Sequence, residues 1–405
     1  VDTGQQTRSN ASGIGAKVAA RIGSRWTAVD TFRSTSSPGQ SLQPLAVGLG
    51  DAERIDFVAI DWSDGVFQSE LDLAAGHHHH VTETQRQLSS CPLLFAWDGA
   101  RYAFVSDILG VAGMGYATGP DQYATPRPWE HFLLPSDLLQ LHQEQYHLKL
   151  LQPMEEATYV DSARLVSYDL PPDWDRALDE RMGINGPAPS GQPLFFRREV
   201  LPLQAVNERG EDVTTLVTTA DIRAAPPGPL DIRFLGRLQG EHVVTLRFAH
   251  PLDGHVGQPI LLIDGWVEYP YSQTMFAAWQ AGAIYAAPTL EAQTQDMQKD
   301  GQWVVLSEQF GYPAGMPRRL VLPLATLPKG TTTLRLRTNQ EIYWDRLAIA
   351  YSEPCPQVRR AELSFRDARL SSVGFPQRTT NSQRVPHYDY ARRSPLWDTR
   401  YLAGF

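Results

Sequence analysis

Four consecutive histidines, His77 to His80, form the densest run of metal-ligating side chains in the chain. On an extended strand His77 and His79 would face one way and His78 and His80 the other, giving two imidazoles per face. Two imidazoles suit zinc or copper, but a bound ion calls for a third ligand and an ordered outer shell, and Glu83 is the obvious neighbour. His77 and His79 are the metal candidates; a solvated strand end is the competing account. Glu155 with Glu156, and Asp173 with Asp175, are the closest carboxylate pairs considered for glycoside hydrolysis, which needs two carboxyls facing each other across a sugar. Adjacent residues on a strand point apart, and DLPPDWDRALDE reads as a charged connector. No GxSxG elbow occurs, and Cys91 sits among apolar residues without an activating pattern. Gly13 and Gly15 in NASGIGAKV lack the spacing of a dinucleotide fingerprint. No catalytic residue is assigned, and the chain is read as a non-enzyme.

The aromatic segment between IDGW and AIY offers a different chemistry. Trp266, Tyr269, Tyr271, Trp279 and Tyr285 are the candidate ligand contacts, because flat aromatic faces hold sugars or protein surfaces at little entropic cost. Core packing would use the same residues. Asp161 and Asp345 occupy matching places in a short internal echo, EEATYVDSARL against QEIYWDRLAI, and each could support a structural cation or bond a neighbouring loop, the second being favoured. No cofactor is expected beyond calcium or another structural metal. Cys91 and Cys355 each precede a proline near an expected domain junction, which makes them the candidate pair for a long-range disulfide in an oxidising compartment, with two buried thiols as the alternative.

These residues must be carried by turn-rich, strand-rich elements. The chain has 42% hydrophobic and 20% charged residues with 31 Gly, 30 Pro and ten Trp, which is globular composition with many turns. A net charge of −9 without a long Lys/Arg stripe excludes a phosphate-backbone footprint, so nucleic acid is not an expected partner. No apolar run approaches the roughly 18 residues that span a bilayer. The opening VDTGQQTRSN and closing RYLAGF lead to the expectation of an internal piece of a longer polypeptide.

Alternation with turn dipeptides points to a mainly β fold: several antiparallel β-sandwich domains in tandem with few short helices. Residues 1–88 form a compact module, in which Val18, Ala20 and Ile22 alternate before Gly23-Ser24 and IDFVAIDW reaches an Asp64-Gly65 turn. Residues 89–227 form a β-rich middle domain with a Pro-rich connector, opened by a hairpin at Asp98-Gly99. SDLLQLHQEQYHLKLLQ is read as a short turn or helix before two strands, the second in EEATYVDSARLVSYD. Residues 228–355 alternate most clearly, as Val244, Leu246 and Phe248 show, and are expected to be a jelly-roll or galactose-binding-like sandwich with a turn or two of helix across its mouth. Residues 356–405 are a C-terminal extension, read as truncated.

SNASGIGAKV, LAVGLGDAERIDFVAIDWSDGVFQ and AAGHHHHVTE together resemble the ASPIC/UnbV family, seen in cartilage acidic protein and in large bacterial proteins with FG-GAP/VCBS propeller or tetratricopeptide repeats. ETQRQLSSCPLLFAWDGARYAFVSDILG, IDGWVEYP, FGYPAGMPR and EIYWDRLAI resemble the extension common in the bacterial members. The resemblance implies an extracellular or cell-surface location, with the periplasm as the alternative, and a non-catalytic structural role in adhesion or assembly. It implies protein subunits of a surface assembly as partners. A carbohydrate-binding module, with glycan as partner, is the alternative reading, and a glycan hydrolase the third. The Asp-x-Asp-x-Asp-Gly calcium loops of FG-GAP repeats are absent from the sequence.

Overall fold

The computed structural model describes residues 10, 12–32, 43–63, 67–83, 91–112, 117–119, 122–123, 125, 127–152, 158–268, 270, 272–294, 301–313, 315–325 and 327–394. The fold is mainly β, with multiple antiparallel sheets. Ser272–Gln280 is the one α-helix (α1) among the described residues. The chain divides into two compact units, Val1–Ser90 with Ser394–Phe405, and Cys91–Arg393.

The first unit is a four-stranded sheet of β1 (Lys17–Ile22), β2 (Arg25–Asp30), β3 (Arg54–Asp61) and β4 (Phe67–Ala74), ordered β2-β1-β3-β4. Gly23 takes positive φ in the two-residue turn that joins β1 to β2, as the right-handed strand twist favours. That turn sets the register, Ile22 opposite Arg25 and Arg21 opposite Trp26. One face of the sheet then holds Ala20, Val58 and Ile60, buried with Val18, Ile55 and Trp62 packed around them. Near its start, the Asn10 side chain accepts from the Ile14 N–H and donates to the Ile14 carbonyl, while Gly13 turns at positive φ.

The second unit is built on a sandwich. One sheet orders the strands Glu199–Val200, Ile342–Ser352, Gln258–Val267 and Arg318–Pro323; the other orders Gln204–Asn207, Arg237–Arg247, Thr333–Gln340, Thr289–Gln293 and Trp303–Ser307. Between them lies the main core, with Leu261, Ile263, Leu347 and Ile349 from the first sheet and Val244, Leu246, Leu290, Leu334 and Leu336 from the second. The first sheet is also covered outside. Ile260, Leu262, Val321, Ala348 and Ala350 pack with Ala177 and Phe196 of the hairpin Asp175–Leu178/Pro193–Phe196. Burial on both faces accounts for the continuous apolar runs ILLI and LAIAY. The second sheet alternates instead, and Thr333–Gln340 buries every other residue.

A separate three-stranded sheet joins Leu93–Trp97, Tyr102–Asp107 and Leu148–Leu151. The Asp98-Gly99 hairpin forms as expected, with the Asp98 carboxylate accepting from the Ala100 and Arg101 N–H groups. In SDLLQLHQEQYHLKLLQ a 3-10 turn at Ser136–Leu138 precedes short strands ending in Leu148–Leu151, so the alternation of QYHLKL prevails over its helical composition. The following strand is shorter than expected, confined to Leu165–Asp169, with Asp161 exposed outside it. The helix near the sandwich mouth is present as α1, whose Met275 and Ala278 join the core.

Candidate functional site

The aromatic candidates of the sandwich divide between core and regions outside the description. Trp266 is fully buried, stacked on Tyr343 at a centroid distance of 5.3 Å and 7° between planes, and its indole N–H donates to the Gln383 carbonyl at 3.2 Å. Tyr285 is buried, and its hydroxyl donates to the Leu235 carbonyl at 2.6 Å. Trp279 is half-buried against the main core. Tyr269 and Tyr271 lie outside the described residues. The expectation of an open aromatic ligand surface here is therefore corrected at Trp266 and Tyr285: the Tyr285 ring joins the core between the sheets, and the Trp266 ring is buried against Tyr343 and the Gln383 backbone. Among the described residues of this stretch, the large apolar side chains that are exposed are Phe276 and Ile284.

His77 and His79 lie beyond the end of β4 at Ala74, exposed, with ring centroids 6.3 Å apart. A ring nitrogen of His79 is spent on the Ala74 carbonyl at 2.8 Å. Among the described residues no three His, Cys, Asp or Glu side chains gather as a metal site. Glu155 and Glu156 lie outside the description, and Asp173 and Asp175 are exposed. No disulfide joins Cys91 to Cys355: both remain thiols, with Cys355 buried just after the Ile342–Ser352 strand and Cys91 half-buried just before Leu93–Trp97. The expected pairing is thus corrected. Asp345 bonds a loop, as favoured from sequence. Its carboxylate accepts from the backbone N–H groups of Asp221, Ile222 and Arg223, and burial, the largest influence, raises its pKa.

The buried charges of the second unit are occupied in tying segments together. Arg318 donates to Asp107 and, at 2.8 Å, to Glu130. Arg127 reaches Glu180 at 2.5 Å, and the His131 N–H donates to the same carboxylate. Arg181 spans Asp179 and the carbonyls of Phe310, Val321 and Pro187. Burial raises the Glu130 and Glu180 pKa values against the pull of their arginines. At Arg318 burial alone would lower the pKa, but Asp107 and Glu130 outweigh it and hold the group above its ordinary value. A second cluster sets Arg384 between Glu268 at 2.5 Å and Glu341 at 3.4 Å, with the Tyr343 hydroxyl donating to Glu341. Burial drives the Tyr343 pKa up. These side chains act as struts between distant segments.

The open face of β1–β4 is where exposed recognition groups gather. Strand register places Trp26, Arg21, Phe57 and Leu71 in one transverse row across all four strands, on the side opposite the buried Ala20, Val58 and Ile60. Trp26 is 54% and Leu71 41% exposed. The Arg21 guanidinium lies 5.9 Å from the Trp26 ring centroid and 5.6 Å from that of Phe57, and the two rings meet edge to face at 5.9 Å. The next row is small: Ala28, Ala19, Ala59 and Ser69. Beyond it the register sets Lys17 opposite Asp30 and Asp61. In the small row Ala28 is exposed and Ser69 fully buried, so the open part of the face lies toward β2 and β1. The row went unassigned in the sequence, although Arg21 and Trp26 are fixed opposite each other once Gly23-Ser24 is a two-residue turn and Val18, Ala20 and Ile22 face inward.

Residues 6–88 match the family model described as ASPIC and UnbV, so the open face lies within the segment that carries the family signature. No curated protein matches the chain at a significant level.

Proposed function

We propose that this ASPIC/UnbV-bearing chain is a non-catalytic interaction segment of an extracellular or cell-surface assembly, and that it docks a protein partner through the open face of β1–β4. The observation that carries the reading is the Trp26–Arg21–Phe57–Leu71 row, in which the exposed Trp26 and Arg21 are of the residue types that dominate binding energies. A cation between two aromatic rings loses little side-chain entropy when a partner covers it. Ala28, the exposed member of the small row, leaves room beside Trp26, and Lys17 with Asp30 and Asp61 supplies a polar rim. Asp107, Glu130 and Glu268 of the second unit are engaged by arginines, which supports a structural role for them over an acid/base one.

The test is capture from the surface fraction of the producing cells, with the whole chain immobilised. Trp26→Ala is expected to weaken capture by about 1 to 3 kcal/mol with its thermal melt little changed. Equal capture by wild type and variant refutes the assignment. Glycan capture lost with Trp26→Ala would favour the carbohydrate-binding alternative, since the Trp26 ring also suits a sugar face. Turnover of a glycan by the purified chain, abolished by one carboxylate substitution, would overturn the non-catalytic reading.

A further inference from the structure

The strand Arg359–Leu363 pairs with Leu165–Asp169 in a two-stranded ladder that ends where Leu363 meets Leu165. From Ser364 to Ser372 the next nine residues are all exposed, and none belongs to a helix or strand. Among the described residues they make no backbone or side-chain hydrogen bond and no ion pair. Phe365 is 67% exposed and Leu370 fully so. The following loop is built differently, because the Asn381 carboxamide accepts from the Gln383 and Val385 N–H groups and closes it. Arginines nearby are also tied: Arg360 to Glu362, Arg392 to Asp389, and Arg384 to Glu268 and Glu341. Arg366 and Arg369 have no such partner among the described residues. The chain beyond the segment is anchored within the second unit. Val373 packs on the core of the three-stranded sheet, Tyr388 is buried in that core, and the Gln383 carbonyl accepts from Trp266.

The geometry points to the Arg369–Leu370 peptide bond as a processing site for an arginine-directed endopeptidase, cut so that the downstream piece stays bound in a two-chain form. Exposed segments whose backbone is neither buried nor hydrogen-bonded are where nicking concentrates. A segment with its N–H and C=O groups unused by its own fold can pair, as an added strand, with the enzyme's main chain without first unfolding. Nine extended residues reach about 30 Å, enough to lie along such a cleft. An arginine guanidinium is what an acidic specificity pocket takes up. The two arginines are not equivalent. Arg366 is followed by Asp367, whose carboxylate would oppose the oxyanion that develops at the scissile carbonyl; Arg369 is followed by the uncharged Leu370. Hydrolysis consumes one water: its oxygen joins the Arg369 carbonyl carbon, both its protons end on the Leu370 nitrogen, and a carboxylate and an ammonium group result with the enzyme regenerated. Afterwards Arg384, held by Glu268 and Glu341, and the buried Tyr388 keep the downstream piece in place.

This inference does not depend on docking through the Trp26 face, which belongs to the first unit, whereas Arg369 belongs to the second. The folded whole chain is treated with a trace of trypsin, for wild type, Arg369→Gln and Arg366→Gln, and the products are followed by mass spectrometry and by size exclusion in native buffer and in urea. The wild type is expected to show a new amino terminus at Leu370 and two pieces that elute together in native buffer and part in urea. Arg369→Gln should lose that cut with its melt unchanged, and Arg366→Gln should retain it. The chain recovered from the producing cells should carry the same terminus at Leu370. An Arg369–Leu370 bond that outlasts digestion of the rest of the chain, or an unchanged cut in Arg369→Gln, would overturn the proposal. So would pieces that separate in native buffer, or recovery of uncut chain alone from the producing cells.

Discussion

Replacing Arg318 with Met leaves the length of the side chain and removes the charge that two buried carboxylates share. Asp107 is fully buried, the Glu130 side chain is 2% exposed, and Arg318 bonds both carboxylates as well as the Asp107 carbonyl. Breaking a buried pair by deleting one partner costs about 3 to 5 kcal/mol, because the remaining charge is uncompensated. That range is the expected loss at pH 7 in urea unfolding followed by near-UV circular dichroism. The loss should depend on pH in a definite direction. Burial raises the Glu130 pKa above its unfolded value, so the group's contribution is complete below the ordinary carboxylate range and is lost as pH rises through the native value. Arg318 restrains that rise, and without it the window extends upward. The deficit of Arg318→Met should therefore shrink toward acid, by about 1.4 kcal/mol for each pK unit of the added shift. Combining it with Asp107→Asn and Glu130→Gln should recover most of the stability. A loss under about 1 kcal/mol, or one constant with pH, would refute the reasoning.

Trp266→Ala removes a fully buried indole from its stack on Tyr343 and should cost about 3 to 5 kcal/mol in denaturant while leaving capture through the open face unchanged. Asp345→Ala removes an acceptor from three backbone N–H groups, of which that of Arg223 keeps the Asp221 carboxylate, so amide exchange at Asp221 and Ile222 should accelerate, with a stability loss of about 1 to 3 kcal/mol. Cys91 and Cys355 should both take up an alkylating reagent in the unreduced, denatured chain; a mass showing neither modified would restore the disulfide.

The strands that could be read from sequence are those whose burial is one-sided. Val18, Ala20 and Ile22 alternate because one face of β1 meets the core, and Leu334 and Leu336 alternate with Arg335 and Arg337 for the same reason. The turns at Gly23-Ser24 and Asp98-Gly99 were legible because their residues adopt the required backbone at no steric cost. What was not legible follows from pairings distant in sequence. Trp266 reads as an exposed aromatic until Tyr343 and Gln383 are brought against it, and the open row of Arg21, Trp26, Phe57 and Leu71 exists only once four strands are in register. Arg318 likewise gives no local sign that Asp107 and Glu130 will meet it.

The most direct test of the open face as the docking surface is site-specific photocrosslinking on the producing cells. A photoreactive phenylalanine analogue is placed in turn at Trp26, Phe57 and Leu71, and, for comparison, at Phe276 and Ile284, which are 50% and 67% exposed. The account predicts a discrete adduct of one protein from positions 26, 57 and 71 and none from 276 and 284. Adducts arising only from positions 276 and 284, with 26, 57 and 71 silent, would contradict it.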